Sequence, residues 1–269
     1  MSGETFQNQI AFIVSKINIE IPKNGKSSIG TGFFYIAPLN DGTGRTITLL
    51  ISNKHVFVEP TGKLTIILNQ KDGNGNPKYG DLVPYEIVNF EGAYYAHPNI
   101  DVDLACVNAS EISHTNSFYM SLDSEFLKEI DYRLIAPGSH VIFVGYPENR
   151  YDMVHNLPLI RKGSIASVPE VDFNGKGQIV IDAQVFQGSS GSPVFVAVGG
   201  HYRLLGVVSE TMIRHAQLQT LPANAAQVGV QQILGLGIII KQKHVLELID
   251  YAVSEFIRRN SSAPSSISS

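Results

Sequence analysis

The chain has 269 residues, 43% of them apolar and 16% charged, and a formal net charge of -4 spread without acidic or basic blocks. That length buries one large core or two smaller ones. The weak, dispersed charge speaks against binding a phosphate backbone, so no nucleic-acid partner is expected.

The start, MSGETFQNQIAFIVSKI, has no basic region, long apolar run or small-residue cleavage site, and the single cysteine, Cys106, has no internal disulfide partner. A reducing, cytoplasmic setting is therefore expected. Apolar runs such as LGVV and GIII are too short to cross a bilayer, and no membrane association is expected.

From about residue 9 to 240, short runs of Val, Ile, Phe and Tyr alternate with Gly, Pro, Asn and Asp, which predicts many strands. In chain order the runs are GTGFFYIA, RTITLLIS, KLTIILN, YEIVNF, HVIFVGY, QIVIDAQVF and YRLLGVVS. Regular turn signals between them predict a closed barrel or a sandwich. The loop KDGNGNPKYGD offers oxygens at alternate positions, but Pro77 stands where a calcium loop needs glycine and Val83 where it needs glutamate. It is read as a plain hairpin loop. The weakly periodic stretch 108–137 is read as the connection between two β units.

Near the end the pattern changes. In KHVLELIDYAVSEFI, the residues Val245, Leu248, Ile249, Ala252, Phe256 and Ile257 recur at helical spacing and predict an amphipathic helix. The polar NSSAPSSISS that follows has too little apolar surface to order itself.

No HExxH, paired-cysteine motif or Gly-rich phosphate loop is present, so no metal and no cofactor is expected. Cys106, inside an apolar run, reads as a small buried hydrophobe. His97, His140, His201, His215 and His244 sit in no ligand spacing and read as surface or cap residues.

A serine hydroxyl becomes a nucleophile only beside a base, a group orienting that base, and donors for the oxyanion that forms. LLISNKHVF ends an apolar run on His55, NIDVDLACV sets Asp103 at the mouth of another, and FQGSSGSPVF offers Ser190 in a glycine-rich turn. Asp101 is the alternative orienting carboxylate, two residues earlier. The order His, Asp, Ser is the order of chymotrypsin among several unrelated solutions.

At these residues the chain resembles the trypsin-like serine peptidases of the chymotrypsin fold, and within them the HtrA-type protease domain without a PDZ domain. GTGFF resembles the opening strand, SNKHV the histidine motif and DVDLA the aspartate motif. VIFVGYP, GSIAS, IDAQVFQGSSGSP, LGVVSE and GLGIIIKQKHVLELI continue the resemblance in order. It implies an all-β fold of two six-stranded antiparallel barrels with a C-terminal α-helix. Residues 1–120 would form the barrel carrying His and Asp, 121–259 the barrel carrying Ser plus the helix, and 260–269 a disordered tail.

By the same resemblance Ser190 attacks the substrate carbonyl, His55 moves its proton and Asp103 holds the imidazole, while the N–H groups of Gly188 and Ser190 bind the oxyanion. Gln184 would floor the pocket for the side chain before the scissile bond, with walls from Ser209, Glu210, Thr211 and the GLG at 235–237. An uncharged Gln184 points to an uncharged side chain there, with Glu210 reaching in as the alternative. Ser189 stands where trypsin has aspartate, so no N-terminal processing is expected. Ser192 replaces the second glycine of Gly-Gly-Pro and is expected to place a side chain near the cleft. Residues 210–232 are expected to form a loop beside the pocket, serving as a lid or a docking site.

The expected function is that of a serine endopeptidase cutting protein or peptide substrates through an acyl-enzyme, either constitutively active or latent until an activating protein partner remakes the oxyanion loop. The alternative from another class is an inactive protease-fold binding or scaffold protein.

Overall fold

The computed structural model describes residues 6–21, 25, 27–218 and 228–261. Helix α1 (Phe6–Ile13) leads into an antiparallel sheet of β1 (Val14–Glu20), β2 (Ser27–Pro38), β3 (Thr46–Ser52), β4 (Lys63–Lys71), β5 (Pro77–Val88), β6 (Tyr94–Ala96), β7 (Ala105–Asn108) and β8 (Ser117–Phe118). A second set follows: β9 (His140–Gly145), β10 (Leu159–Ile165), β11 (Gln178–Asp182), β12 (Pro193–Val198), β13 (His201–Leu218) and β14 (Val228–Lys241), then helix α2 (Gln242–Ser261).

The second set closes into the expected six-stranded barrel, β10-β11-β14-β13-β12-β9. Closure gives each of its strands two pairing neighbours. The first set runs β5-β4-β1-β2-β3-β7-β6, with β8 on β4, and its end strands do not pair among the described residues. It is an eight-stranded sheet rather than a closed six-stranded barrel. The end strands are unequal, three residues in β6 against twelve in β5, and β4 takes β8 as a further partner instead.

Period-2 alternation divides the apolar side chains among three cores. Leu50 of β3 faces the first sheet's own core with Phe34, Leu64 and Ile66, while its neighbours Leu49 and Ile51 face the other way. They join Phe195, Leu204, Val207 and Leu248 in a core shared by both halves, and Phe143, Ile179, Val194 and Leu205 fill the barrel. A strand buried on both faces reads as a continuous apolar run, as Leu49, Leu50 and Ile51 do in β3.

The terminal helices cross between the halves. Phe6 of α1 stacks on Tyr202 at 4.0 Å between ring centres and meets Phe195 edge-on at 5.2 Å. Eight residues are too few to show a helical period or to be stable alone, so α1 exists through this packing and went unpredicted. Helix α2 returns to the first sheet, where Arg259 donates to the Gly92 carbonyl at 2.9 Å and lies over the Tyr95 ring. It begins one residue before the predicted helix and runs to Ser261, so Asn260 and Ser261 of the expected tail are helical. The remainder, 262–269, lies outside the described residues.

The expected loop at 210–232 is instead a two-stranded ribbon wherever it is described. β13 and β14 stay paired from Gly206 with Lys241 out to Leu218 with Val228, through bulges near Val208 and Thr211. Residues 219–227 lie outside the described residues. The calcium-like loop is a hairpin turn, in which Asp72 Oδ1 accepts from the N–H groups of Asn74 and Asn76, each at 2.8 Å. Among the described residues no helix is long and apolar enough to cross a membrane.

Candidate active site

Each of the three candidate residues stands on a turn at a strand end. β3 delivers the Asn53–Phe57 turn, closed by Val56 and Phe57 N–H bonds to the Asn53 carbonyl, and His55 is carried on it. Asp103 lies just before β7 and is tied to that turn by Asn53 Nδ2, which donates to its carbonyl at 2.7 Å. His55 Nδ1 is 2.6 Å from Asp103 Oδ2, and the His55 N–H donates to Oδ1 at 3.2 Å. Asp103, not the exposed Asp101, is therefore the carboxylate on the imidazole. Ser209 Oγ adds a third bond, donating to Asp103 Oδ2 at 3.3 Å.

Ser190 shares a cleft of about 610 Å³ with His55, Gly188, Gln187, Glu148 and Asn149. Its hydroxyl donates to the Ser209 carbonyl at 3.3 Å rather than to the imidazole. The turn carrying it is tight: Ser189 N–H bonds the Phe186 carbonyl, Ser192 N–H the Ser189 carbonyl and Gly191 N–H the Val208 carbonyl. Gly188 and Gly191 have φ of 83° and 86°, the left-handed region that glycine enters without a Cβ penalty. At Gly191 a Cβ would also collide with the Thr31 carbonyl and Ser52 Oγ.

The Gln187 carbonyl accepts from Glu148 N–H at 2.5 Å. Because the peptide is planar and trans, the Gly188 N–H points the opposite way. Neither it nor the Ser190 N–H has an acceptor among the described residues, so two donors stand on either side of Ser189 without a partner in the fold. Glu148 and Asn149, with φ of 48° and 57°, hold strained left-handed backbone beside the cleft.

The profile of the trypsin-like peptidase domain matches residues 30–207, about two thirds of the chain. The chain belongs to the trypsin-like peptidase family. The HtrA-type resemblance also has a structural counterpart: a variant of the HtrA-type protease AlgW with a decapeptide is similar at TM-score 0.51 and 14% identity, covering 94% of this chain and 68% of that one. The tobacco vein mottling virus protease is similar at TM-score 0.51 and 16% identity, covering 90% of this chain and 82% of that one. At such identities the likeness is one of fold. No curated protein matches the chain.

Within this family member the turn bearing Ser190 is held by a residue that sequence reasoning passed over. Thr31 of β2, fully buried, donates from Oγ1 to the Gly188 carbonyl at 2.8 Å and from its N–H to the Ser190 carbonyl at 2.9 Å. Its Oγ1 also accepts from Tyr146 N–H at 3.1 Å, and its carbonyl accepts from Ser52 Oγ at 2.6 Å. The first sheet thus grips the Ser190 turn of the closed barrel. The only signal was the small polar residue between the glycines of GTG.

The expected substrate pocket is divided. Gln184 and Glu210 are exposed, Thr211 donates from Oγ1 to the Val185 carbonyl at 2.9 Å, and the Ser209 side chain is spent on Asp103. None of the four lines the cleft that holds His55 and Ser190. Ser192 is fully buried against Gly145 and does not face the cleft, and Ser189 is buried too. Neither of their hydroxyls has a partner among the described residues.

His97 and His244, read from sequence as surface or cap residues, meet Glu247. His97 Nε2 lies 3.1 Å and His244 Nδ1 2.8 Å from Glu247 Oε2. These three could surround a cation. However, the Asn99 N–H donates to His97 Nδ1 at 3.1 Å, which leaves the ring proton of neutral His97 on Nε2, where a metal would need a lone pair. The cluster fits a clamp: the His97 N–H bonds the Leu104 carbonyl beside Asp103, and Glu247 belongs to α2. Burial lowers the His97 pKa below its ordinary value, with Glu247 opposing. Cys106 is fully buried and burial pushes its thiol pKa far up, as an inert core residue requires.

Proposed function

We propose that the protein is a serine endopeptidase that cuts protein substrates through an acyl-enzyme, with His55, Asp103 and Ser190 as its triad. The observation that carries this reading is the 2.6 Å contact of His55 with Asp103 at one wall of a cleft that Ser190 also lines. Asp103 accepts the Nδ1 proton, which leaves the Nε2 lone pair of His55 free to act as base.

On substrate binding the Ser190 hydroxyl turns from the Ser209 carbonyl to His55 Nε2 and adds to the scissile carbonyl as its proton passes to the imidazole. The tetrahedral oxyanion takes the unpartnered N–H groups of Gly188 and Ser190; loss of one such donor costs about 3 kcal/mol of barrier. Collapse breaks the C–N bond, the departing amine receives the proton from Nε2, and water repeats the sequence to release the acid. No metal or cofactor takes part.

The hydrogen bond from Ser190 to Ser209 favours a resting form completed by substrate or by an activating protein partner. The buried, unpaired Cys106 suits a reducing cytoplasmic setting. The test is to incubate purified protein with an unfolded protein, with and without cell lysate, and identify new termini by mass spectrometry. New termini with wild type and none with Ser190→Ala support the proposal. Identical products from both proteins, or none under either condition, favour a binding or scaffold protein.

A further inference from the structure

Arg161 of β10 points toward the barrel interior. It pairs in register with Phe143, one of the barrel's core residues. Its guanidinium lies over two rings, 4.9 Å from the centre of Phe143 and 5.2 Å from that of Phe186. Nη2 donates to the Gln184 carbonyl, while Nη1 is buried with no hydrogen-bond partner. Arg161 makes no ion pair among the described residues, and burial alone pulls its pKa down, with no carboxylate offsetting it. A guanidinium held this way bears the cost of desolvation without the return of a pair.

Two segments connect it to the nucleophile. Segment 184–190 starts at the carbonyl that holds Nη2 and ends at Ser190. Segment 209–211 starts where the Ser209 carbonyl takes the Ser190 hydroxyl and ends where Thr211 Oγ1 bonds the Val185 carbonyl. Two bridges thus tie the segments together, one at Ser190 and one at Thr211 about 7 Å along β13 by the rise of a strand, and Arg161 sits next to the second, bonded to the Gln184 carbonyl.

We propose that Arg161 is a specificity-determining residue that selects an acidic side chain, glutamate or aspartate, before the scissile bond. The inference rests on the serine-peptidase reading of Ser190. It departs from the uncharged preference expected from Gln184, because the charge comes from β10 rather than from the segment before the nucleophile. The stem of an acidic residue seated on Ser190 runs down between the two segments. Its carboxylate pairs with Nη1, which has no partner, while Nη2 keeps its tether to the Gln184 carbonyl. A planar fork already fixed at one nitrogen and by two rings is preorganised for such a pair.

The test uses the full-length protein and fluorogenic peptides identical except for Glu, Gln, Leu or Lys before the scissile bond, together with fluorophosphonate labelling of Ser190, which needs no such side chain. Wild type should label and should cleave the Glu peptide with kcat/KM about tenfold or more above the Gln peptide. Arg161→Gln should still label at Ser190 but lose the ratio of Glu to Gln cleavage, and Arg161→Lys should retain part of it. Normal labelling with equal or faster cleavage of Gln or Leu peptides overturns the inference and leaves the peptidase reading standing. An unlabelled wild type overturns both. Should Arg161→Gln fail to fold, an Arg161→Lys protein with unchanged preference counts against the assignment.

Discussion

Thr31 Oγ1 donates to the Gly188 carbonyl at 2.8 Å, so a strand of the first sheet orients a peptide two residues before Ser190 of the closed barrel. The catalytic apparatus proposed here is therefore not carried by either half alone. His55 and Asp103 come from one, Ser190 from the other, and Thr31 sets the register between them.

Thr31→Val keeps the shape but removes the hydroxyl, leaving the Gly188 carbonyl and the Tyr146 N–H without that partner. Unpaired buried groups of this kind cost about 1–3 kcal/mol. The expected outcome is a lower thermal midpoint and a fall in kcat larger than the change in KM, both largely restored by Thr31→Ser. Full activity in the valine variant would contradict the clamp.

Gly191→Ala puts a methyl onto the Thr31 carbonyl and Ser52 Oγ at a φ of 86°. Overpacking of about 1–3 kcal/mol adds to left-handed strain of about 1–2 kcal/mol. Chemical denaturation should show a loss within that combined range, along with strongly impaired labelling of Ser190. Alanine at Gly199, where a Cβ meets nothing within 4 Å, should cost strain alone.

Ser209→Ala removes one of the bonds to Asp103 Oδ2 and leaves the His55 contact in place. A drop in kcat of about tenfold, the worth of one hydrogen bond to a charged group, is expected with little change in KM. Asp103→Asn should be far worse, by about four orders of magnitude, as in the chymotrypsin triad. Equal losses from the two would mean that Asp103 does not hold the imidazole.

The His97 clamp gives a pH dependence. In the unfolded chain the imidazole titrates near 6.5, whereas burial lowers it in the fold. As pH falls through 6.5 toward the folded value, the unfolded state takes up the proton first, so stability drops, and it is retained at higher pH. Thermal midpoints of wild type between about pH 7.5 and 5.5 should fall more steeply than those of His97→Gln. Superimposable profiles would rule out His97 as the source.

What the sequence disclosed depended on how local its causes were. Strands β2, β3, β4 and β9 follow from runs of β-branched and aromatic residues, and α2 from its apolar face. His55, Asp103 and Ser190 were legible because each sits in a short motif whose order is distinctive, and the structure brings the first two into contact and the third into their cleft. Helix α1 and the ribbon of β13 and β14 owe their form to pairing and packing that no local window contains. Thr31 and Arg161 escaped notice for a related reason: an ordinary threonine and a lone arginine acquire meaning only from the carbonyls they meet across the chain. Ser192 was misjudged because motif alignment gives no side-chain direction.

The serine-peptidase reading requires Ser190 to be a nucleophile activated by His55. Intact-mass and peptide mapping after exposure to a fluorophosphonate tests it most directly, comparing wild type with Ser190→Ala and His55→Ala. One adduct is expected on wild type, located at Ser190, and none on either variant. A wild type that remains unmodified, or an adduct at another residue that survives Ser190→Ala, would contradict it.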